Sequence, residues 1–265
     1  MAAPSRRVYI FVTLFAFALV LLPFLFWYDT WFGRRLNDEQ VDKYLHETNR
    51  PRRAQQALAQ IGERMARGDA GARRWYPRVI ELAGHTSPEM RNTAAWIMGQ
   101  DPKHEPFHAA LKKLISDSSP MVRRNAALAL AAFGDAAGRA ELRLMLRPHE
   151  VKAPRGGLVS HRLKPGDYVN PGTLVARVDN VEVRSELPGE VRPLPHPEGA
   201  RVAAGEKIVE LGADESHAWE SLRALYLVGT REDLDDARRF VRSPEERLRR
   251  QAGLTIARIE GTKQD

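Results

Sequence analysis

The chain has 265 residues, with 41 Lys and Arg against 34 Asp and Glu, and it contains no cysteine. Its length allows one large domain or two of ordinary size, and its 43% hydrophobic and 28% charged residues are the proportions of a folded protein. The absence of cysteine excludes disulfides, thiol catalysis and cysteine-bound zinc or iron–sulfur clusters.

The first feature along the chain is an uncharged apolar segment, VYIFVTLFAFALVLLPFLFWY, at residues 8–28. At about 1.5 Å per residue it would span the roughly 30 Å hydrocarbon core of a bilayer. We therefore predict a transmembrane helix at 8–28, between an N-terminal tail at 1–7 and a juxtamembrane linker at 29–49. The alternative is a cleaved signal peptide, but the segment is long for one and no small-x-small cleavage site precedes Asp29.

A phrase that begins with Ser-Pro recurs along the rest of the chain. The segment SPEMRNTAA at 87–95 aligns with SPMVRRNAA at 119–127, 32 residues later, and a looser copy begins at Ser243. Ser followed by Pro supplies a helix N-cap and a first helical residue, and small and apolar residues then follow at helical spacing. The repeat predicts an α-solenoid of paired helices at 50–148 and 213–260, followed by a tail at 261–265.

The most regular copy resembles a known repeat family. The segment LISDSSPMVRRNAALALAAFG at 114–134 is similar to HEAT repeats of the short bacterial type related to phycobilisome lyases. The resemblance implies a HEAT-like helical solenoid. It implies little about function, because solenoids serve many tasks.

The helical pattern is interrupted by residues 149–212, which are rich in Gly, Pro and Val. Two similar halves make up this segment, and Val and Leu alternate between glycine turns, which predicts short strands with one buried face. We predict a small all-β domain inserted within one helical hairpin. Its expected structural turns are the glycines Gly157, Gly166, Gly172, Gly189 and Gly205.

The doubled pattern of this insert resembles the biotinyl/lipoyl-type barrel-sandwich hybrid domain. In carrier versions a Lys at the hairpin between the halves takes the cofactor, whereas here the hairpin reads VDNVEV at 178–183 and Glu182 stands near that position. The resemblance therefore implies no bound cofactor. Unmodified domains of this kind occur in periplasmic adaptor (membrane-fusion) proteins, which implies a single-pass protein of the bacterial inner membrane, N-in and C-out, with its soluble part in the periplasm. Charge alone does not decide this orientation, because two arginines flank the apolar segment on each side.

One short motif, HEPFH at 104–108, fits the H-E-x-x-H pattern of zinc hydrolases. Pro106 places His104 before the helix, so the two imidazoles are not expected on one helical face. The sequence has neither a G-K-[ST] phosphate loop nor a G-x-S-x-G elbow. We expect no catalytic, cofactor-binding or metal-binding residues, and a protein that is not an enzyme.

The positive charge is concentrated in residues 50–147, which hold 17 basic residues against 9 acidic ones. Such a surface suits anionic lipid or an acidic partner, and nucleic acid is not expected. The possible interaction surface comprises Arg73, Arg74, Arg123 and Arg124. The sequence predicts a membrane-anchored, non-catalytic scaffold or adaptor subunit of an integral membrane protein complex, such as a transporter. The alternatives are a biotin/lipoyl-type carrier subunit and a lyase-like HEAT protein.

Overall fold

The computed structural model of the chain describes residues 6–31, 35–47 and 50–261. Parts of the predicted tails and linker, at 1–5, 32–34, 48–49 and 262–265, lie outside the described residues. The chain divides into two compact units, Met1–Gln60 and Ile61–Asp265.

The first unit contains α1 (Arg6–Trp31), α2 (Asp38–His46) and the beginning of α3 (Pro51–Ala66). A capping box starts α2. The main-chain N–H of Gln40 donates to Asn37 Oδ1 at 2.8 Å, and the main-chain N–H of Asn37 donates to Gln40 Oε1 at 3.1 Å. Part of the segment predicted as a linker is therefore an ordered helix.

The α1 helix has 26 residues and carries exposed apolar side chains, among them those of Val12, Phe17 and Leu22. Crossing a bilayer requires about 20 consecutive apolar residues. Within the described ranges, no helix combines the length and the apolar character that a membrane crossing needs. This finding contradicts the transmembrane helix predicted at 8–28 and the inner-membrane, periplasmic localisation predicted with it.

The second unit is built mainly from pairs of helices. A 3₁₀ helix at Ala70–Trp75 precedes the first pair. The pairs are α4 (Tyr76–Leu82) with α5 (Pro88–Met98), α6 (Glu105–Leu114) with α7 (Pro120–Ala132), α8 (Arg139–Met145) with α9 (Glu215–Val228), and α10 (Leu234–Arg238) with α11 (Glu246–Gly261). The second helices pack side by side in the order α5, α7, α9, α11. This arrangement is a helical repeat solenoid, as the sequence repeat predicts.

A recurring arginine explains part of the sequence repeat. Arg91, Arg123 and Arg249 are each the fourth residue of a second helix. Each donates through Nη1 to two main-chain carbonyls five and six residues earlier, at 2.6–3.1 Å. Arg91 also forms two bonds to Asp117 of the following pair, at 2.6 and 2.8 Å, and these hold the pKa of the Asp117 carboxyl below its usual value. The arginine therefore orders the loop before the helix and, at Arg91, also ties neighbouring pairs together.

All eight described strands lie between α8 and α9. They are β1 (His149–Lys152), β2 (Gly157–His161), β3 (Tyr168–Val169), β4 (Leu174–Val178), β5 (Val181–Arg184), β6 (Gly189–Glu190), β7 (Arg201–Val202) and β8 (Lys207–Leu211). One antiparallel sheet has the order β5-β4-β2-β7, and two smaller sheets pair β1 with β8 and β3 with β6. Valine and isoleucine side chains from both halves share one buried core.

These sheets do not close into a barrel, so the predicted barrel-sandwich hybrid is corrected to a small sheet region. Three of the strands, β3, β6 and β7, have only two residues each. Strands this short pair over too little length to complete a closed cylinder. The duplication in the sequence is nevertheless visible in the pairing, since β1–β8 corresponds to β5–β4 and β2–β7 corresponds to β6–β3.

The glycines predicted as turns occupy two kinds of position. Gly166, Gly172 and Gly205 have φ of 92°, 86° and 81°, in the left-handed region that favours glycine. Gly157 and Gly189 instead begin strands at close approaches. A Cβ on Gly157 would lie 2.4 Å from Asp179 Oδ2, and one on Gly189 would lie 2.5 Å from the Gly212 carbonyl oxygen.

Two glycine substitutions test the helix packing with opposite expected signs. In Gly138→Ala the new methyl group would lie 2.6 Å from Ala127 Cα, so we expect the free energy of unfolding to fall by about 1–3 kcal/mol. In Gly253→Ala, on the open side of α11, we expect it to rise by about 0.5–1 kcal/mol, because alanine favours helix. Urea denaturation measures both, and changes of the same sign would contradict this account of the packing.

Candidate functional site

A groove of about 560 Å³ crosses the second helices of the solenoid within the unit Ile61–Asp265. Its walls come from equivalent positions of the four helices. The ninth residues, counted from the first residue of each helix, are Trp96, Leu128, Arg223 and Leu254. The sixth residues of α7, α9 and α11 are Asn125, Glu220 and Gln251, and the thirteenth positions from α5 to α9 are Gln100, Ala132 and Leu227. Positions three and four residues apart share one helical face, so the repeat places the same face of each helix in the groove.

Large apolar side chains are exposed in this groove. Trp96 and Tyr226 are each 42% exposed, and Leu227 and Leu254 are about half exposed. The Trp96 ring packs against Gly62, where a Cβ would lie 2.5 Å from the ring. Exposed apolar side chains that cluster in a concave surface are typical of binding sites.

Amide side chains lie among these apolar groups. Asn125 Nδ2 donates to Asn92 Oδ1 of the neighbouring helix at 2.8 Å, which orients the Asn125 amide. Gln251 Nε2 donates to Thr255 Oγ1 at 3.3 Å. An amide side chain has two donor hydrogens and two acceptor lone pairs, so each retains capacity for a bound molecule.

A second cavity, of about 620 Å³, lies beside α4 and the start of α6. The Tyr76 hydroxyl donates to Asp101 Oδ2 at 2.9 Å, and burial together with this bond raises the pKa of Tyr76 to about 12. The His104 ring lies 4.9 Å from the Tyr76 ring and 4.7 Å from the Phe107 ring, and Arg73 lines the same cavity. The Tyr76 hydroxyl and the Asp101 carboxylate are therefore hydrogen-bonded to each other.

The two histidines of the HEPFH motif have different neighbours. His104 precedes α6 and packs against aromatic rings, whereas His108 Nε2 lies 2.7 Å from Asp135 Oδ2 and its ring stacks on Phe133 at 5.1 Å. Over the described ranges, no three His, Cys, Asp or Glu residues are grouped so that they could hold a metal ion.

The four arginines of the predicted interaction surface lie in different surroundings. Arg73 is exposed at the second cavity, and the Arg74 guanidinium lies 5.2 Å from the centroid of the Trp75 ring. Arg123 bonds to loop carbonyls and to Glu141 at 3.2 Å. Arg124 is only 5% exposed, and burial lowers its pKa. A side chain so deeply buried offers a partner almost no surface.

Glu182, near the position of the carrier Lys, is held between two arginines. Its carboxylate accepts from Arg177 at 2.9 Å and from Arg184 at 2.7 Å, and these bonds hold the pKa of the Glu182 carboxyl below its usual value. The groove residues were not identified from the sequence. The sequence does carry a signal for them, which is a large apolar side chain at the ninth position of three of the four second helices: Trp96, Leu128 and Leu254.

The fold and the groove together define a helical-repeat solenoid protein with a sheet region between the helices of one pair. The family model for HEAT repeats matches residues 76–153, from the first helix pair to the first strand. This match confirms HEAT repeats in that part of the chain. No curated protein matches the chain.

Two solved structures are similar to the chain at low identity. A designed armadillo repeat protein in complex with the peptide (KR)4 is 14% identical, with a TM-score of 0.46, and the match covers 84% of this chain and 82% of that one. An engineered protein is 13% identical, with a TM-score of 0.44, and the match covers 83% and 78% of the two chains. Neither similarity carries an argument about function.

The pairing of His108 with Asp135 makes stability depend on pH. Bonds to Asp135 and Glu105 raise the pKa of His108 above its ordinary value of 6.5. The stabilisation is therefore complete below about pH 6.5, where the unfolded chain also binds the proton, and it is lost as the pH rises through the folded-state pKa. We expect the free energy of unfolding to fall between about pH 6 and pH 9 in the wild type, and to fall less in His108→Gln. Urea denaturation at both pH values measures this, and an identical pH dependence in the two proteins would refute it.

Proposed function

We propose that this protein is a non-catalytic interaction scaffold that binds an extended segment of a partner protein in the groove across α5, α7, α9 and α11. One observation carries the proposal. Equivalent positions of neighbouring helices present exposed apolar side chains beside amide side chains along a single concave face.

The dimensions of the groove suit an extended chain. Packed helices lie about 8–10 Å apart, so four helices in a row span about 30 Å. An extended chain rises about 3.3 Å per residue, so the groove has room for about nine residues.

The chemistry of the groove matches the two kinds of group that an extended chain presents. The main-chain N–H and C=O groups of an extended chain lack hydrogen-bond partners, and the side-chain amides of Asn125 and Gln251 can bond to both kinds of group. Its apolar side chains can pack against Trp96, Leu227 and Leu254, whose exposed surface is then removed from water. The row of repeated positions supplies these contacts at the spacing of the helices.

Removing one groove leucine tests the proposal. Nonapeptides selected from a random display library on the purified full-length protein provide the probe, and fluorescence polarisation gives their dissociation constants. We expect Leu254→Ala to weaken binding about tenfold, because truncation of a leucine removes about 1–2 kcal/mol of apolar burial.

The chain offers a closely matched control. Leu144 on α8 is 49% exposed, against 50% for Leu254, and it lies outside the groove. Leu144→Ala should leave the affinity unchanged. Failure to select any binding peptide, or equal effects of Leu144→Ala and Leu254→Ala, would contradict peptide binding in the groove.

A further inference from the structure

Trp219 stands on α9 close to the groove and holds two arginines. The Cζ atom of Arg223 lies 4.7 Å from the centroid of the Trp219 ring, and that of Arg247, on α11, lies 3.4 Å from it. The indole is half-buried and packs against the core of the C-terminal helices, which fixes the ring in place. Cation–π attraction thus draws two positive charges from neighbouring helices to one ring.

Stacking on an aromatic ring leaves the bonding capacity of a guanidinium free. Its N–H groups lie in its own plane, so a stacked arginine still presents two parallel donors at its edge. This edge fits the two oxygens of a carboxylate in a bidentate pair. Both Arg223 and Arg247 are exposed, so their edges are accessible to a bound molecule.

These arginines lack the carboxylate partners that some other arginines of the same unit have. Arg139 and Arg147 bond to buried aspartates, Asp233 and Asp236, at 3.0 and 2.7 Å. In the described part of the chain, no carboxylate oxygen lies within 4.0 Å of a guanidinium nitrogen of Arg223, Arg247 or Arg250. Arg250 is a third exposed arginine of this kind, and it occupies on α11 the position that Trp219 occupies on α9.

No carboxylate on the same two helices pairs with these arginines: Glu260 pairs with Arg238, and Glu215 has no guanidinium nitrogen within 4.0 Å among the described residues. Glu220 lines the groove and Glu246 begins α11, and both are exposed. Neither has an oxygen within 4.0 Å of the three guanidinium groups. Arg223, with Arg247 beside it on Trp219, therefore offers donors without a bonded carboxylate where α9 borders the groove, next to the apolar side chains of Tyr226 and Leu227.

We infer that the groove selects an acidic peptide: an extended segment whose apolar side chains pack along the groove and whose Asp or Glu carboxylates bond to Arg223 and Arg247 where α9 and α11 border it. The inference rests on the proposed peptide-binding function and adds the charge of the bound segment and the place where its carboxylates bind. Arg223 connects the two features, since it both lines the groove and stacks on Trp219.

Matched peptide pairs test the inference. Each selected nonapeptide is synthesised once as found and once with every Asp or Glu replaced by Asn or Gln. For the wild-type protein we expect the amide peptide to bind about tenfold more weakly, because hydrogen bonds to charged groups contribute about 1.5–3 kcal/mol. Raising the salt from about 50 to about 500 mM should weaken only the acidic peptide.

Variants of the protein assign the effect to the arginines. In the double variant Arg223→Gln, Arg247→Gln, the acidic and amide peptides should bind equally. Arg201→Gln is the control, because Arg201 on β7 is also an exposed arginine without a carboxylate within 4.0 Å among the described residues. It should keep the tenfold preference. Unchanged urea midpoints would confirm that each variant is folded.

The outcomes separate the two proposals. If Leu254→Ala weakens both peptides but the wild type binds them equally, the groove binds peptides and the acidic preference is refuted. A preference that survives in the double variant also refutes the role of these arginines. If Leu254→Ala weakens neither peptide, peptide binding in the groove itself is refuted.

Discussion

Close packing between the second helices of neighbouring pairs is the constraint on which the groove depends. Small residues make it possible: a Cβ on Gly99, at the end of α5, would lie 2.9 Å from Ala129 Cβ on α7. With larger side chains at these positions the helices would move apart. Because the helices are close, their ninth residues form one continuous row, and side chains separated by 31 to 158 residues in the sequence line a single surface.

The arginine in the first turn of α5, α7 and α11 also positions these helices. A guanidinium that bonds to two carbonyls of its own loop fixes where the following helix begins. The α9 helix has Ala218 at the equivalent position, and its start is fixed differently. There the Asp214 side chain accepts from the His217 amide at 2.8 Å and from the Tyr168 hydroxyl at 2.5 Å. Bonds from His217 and Tyr168 hold the pKa of the Asp214 carboxyl far below its usual value, so it accepts as a carboxylate at neutral pH.

The sequence predicted the helices, the strands and the helical solenoid, but neither how the strands associate nor which side chains meet in the groove. Pro88 and Pro120 begin helices as their Ser-Pro phrases predict, and the Val-rich segment between the helices forms strands. Closure of a barrel depends on the number of residues over which neighbouring strands pair, and amino-acid composition does not give that number. Arg123 and Arg124 look alike in sequence, yet the first bonds to its loop and the second is buried. The groove was missed because its side chains meet only after the helices stack.

The sheet region explains how one helix pair can hold more than 60 residues between its helices without breaking the solenoid. Strands β1 and β8 pair antiparallel, with His149 opposite Leu211, so the two ends of the region leave it side by side. Helices α8 and α9 can then pack as if a short turn joined them, and the Ser221 hydroxyl on α9 donates to the Leu142 carbonyl on α8 at 2.7 Å. The Tyr168–Asp214 bond fixes the sheet region to the start of α9. Since α9 supplies Arg223, Tyr226 and Leu227, the centre of the groove depends on the pairing of two strands that contribute no side chain to it.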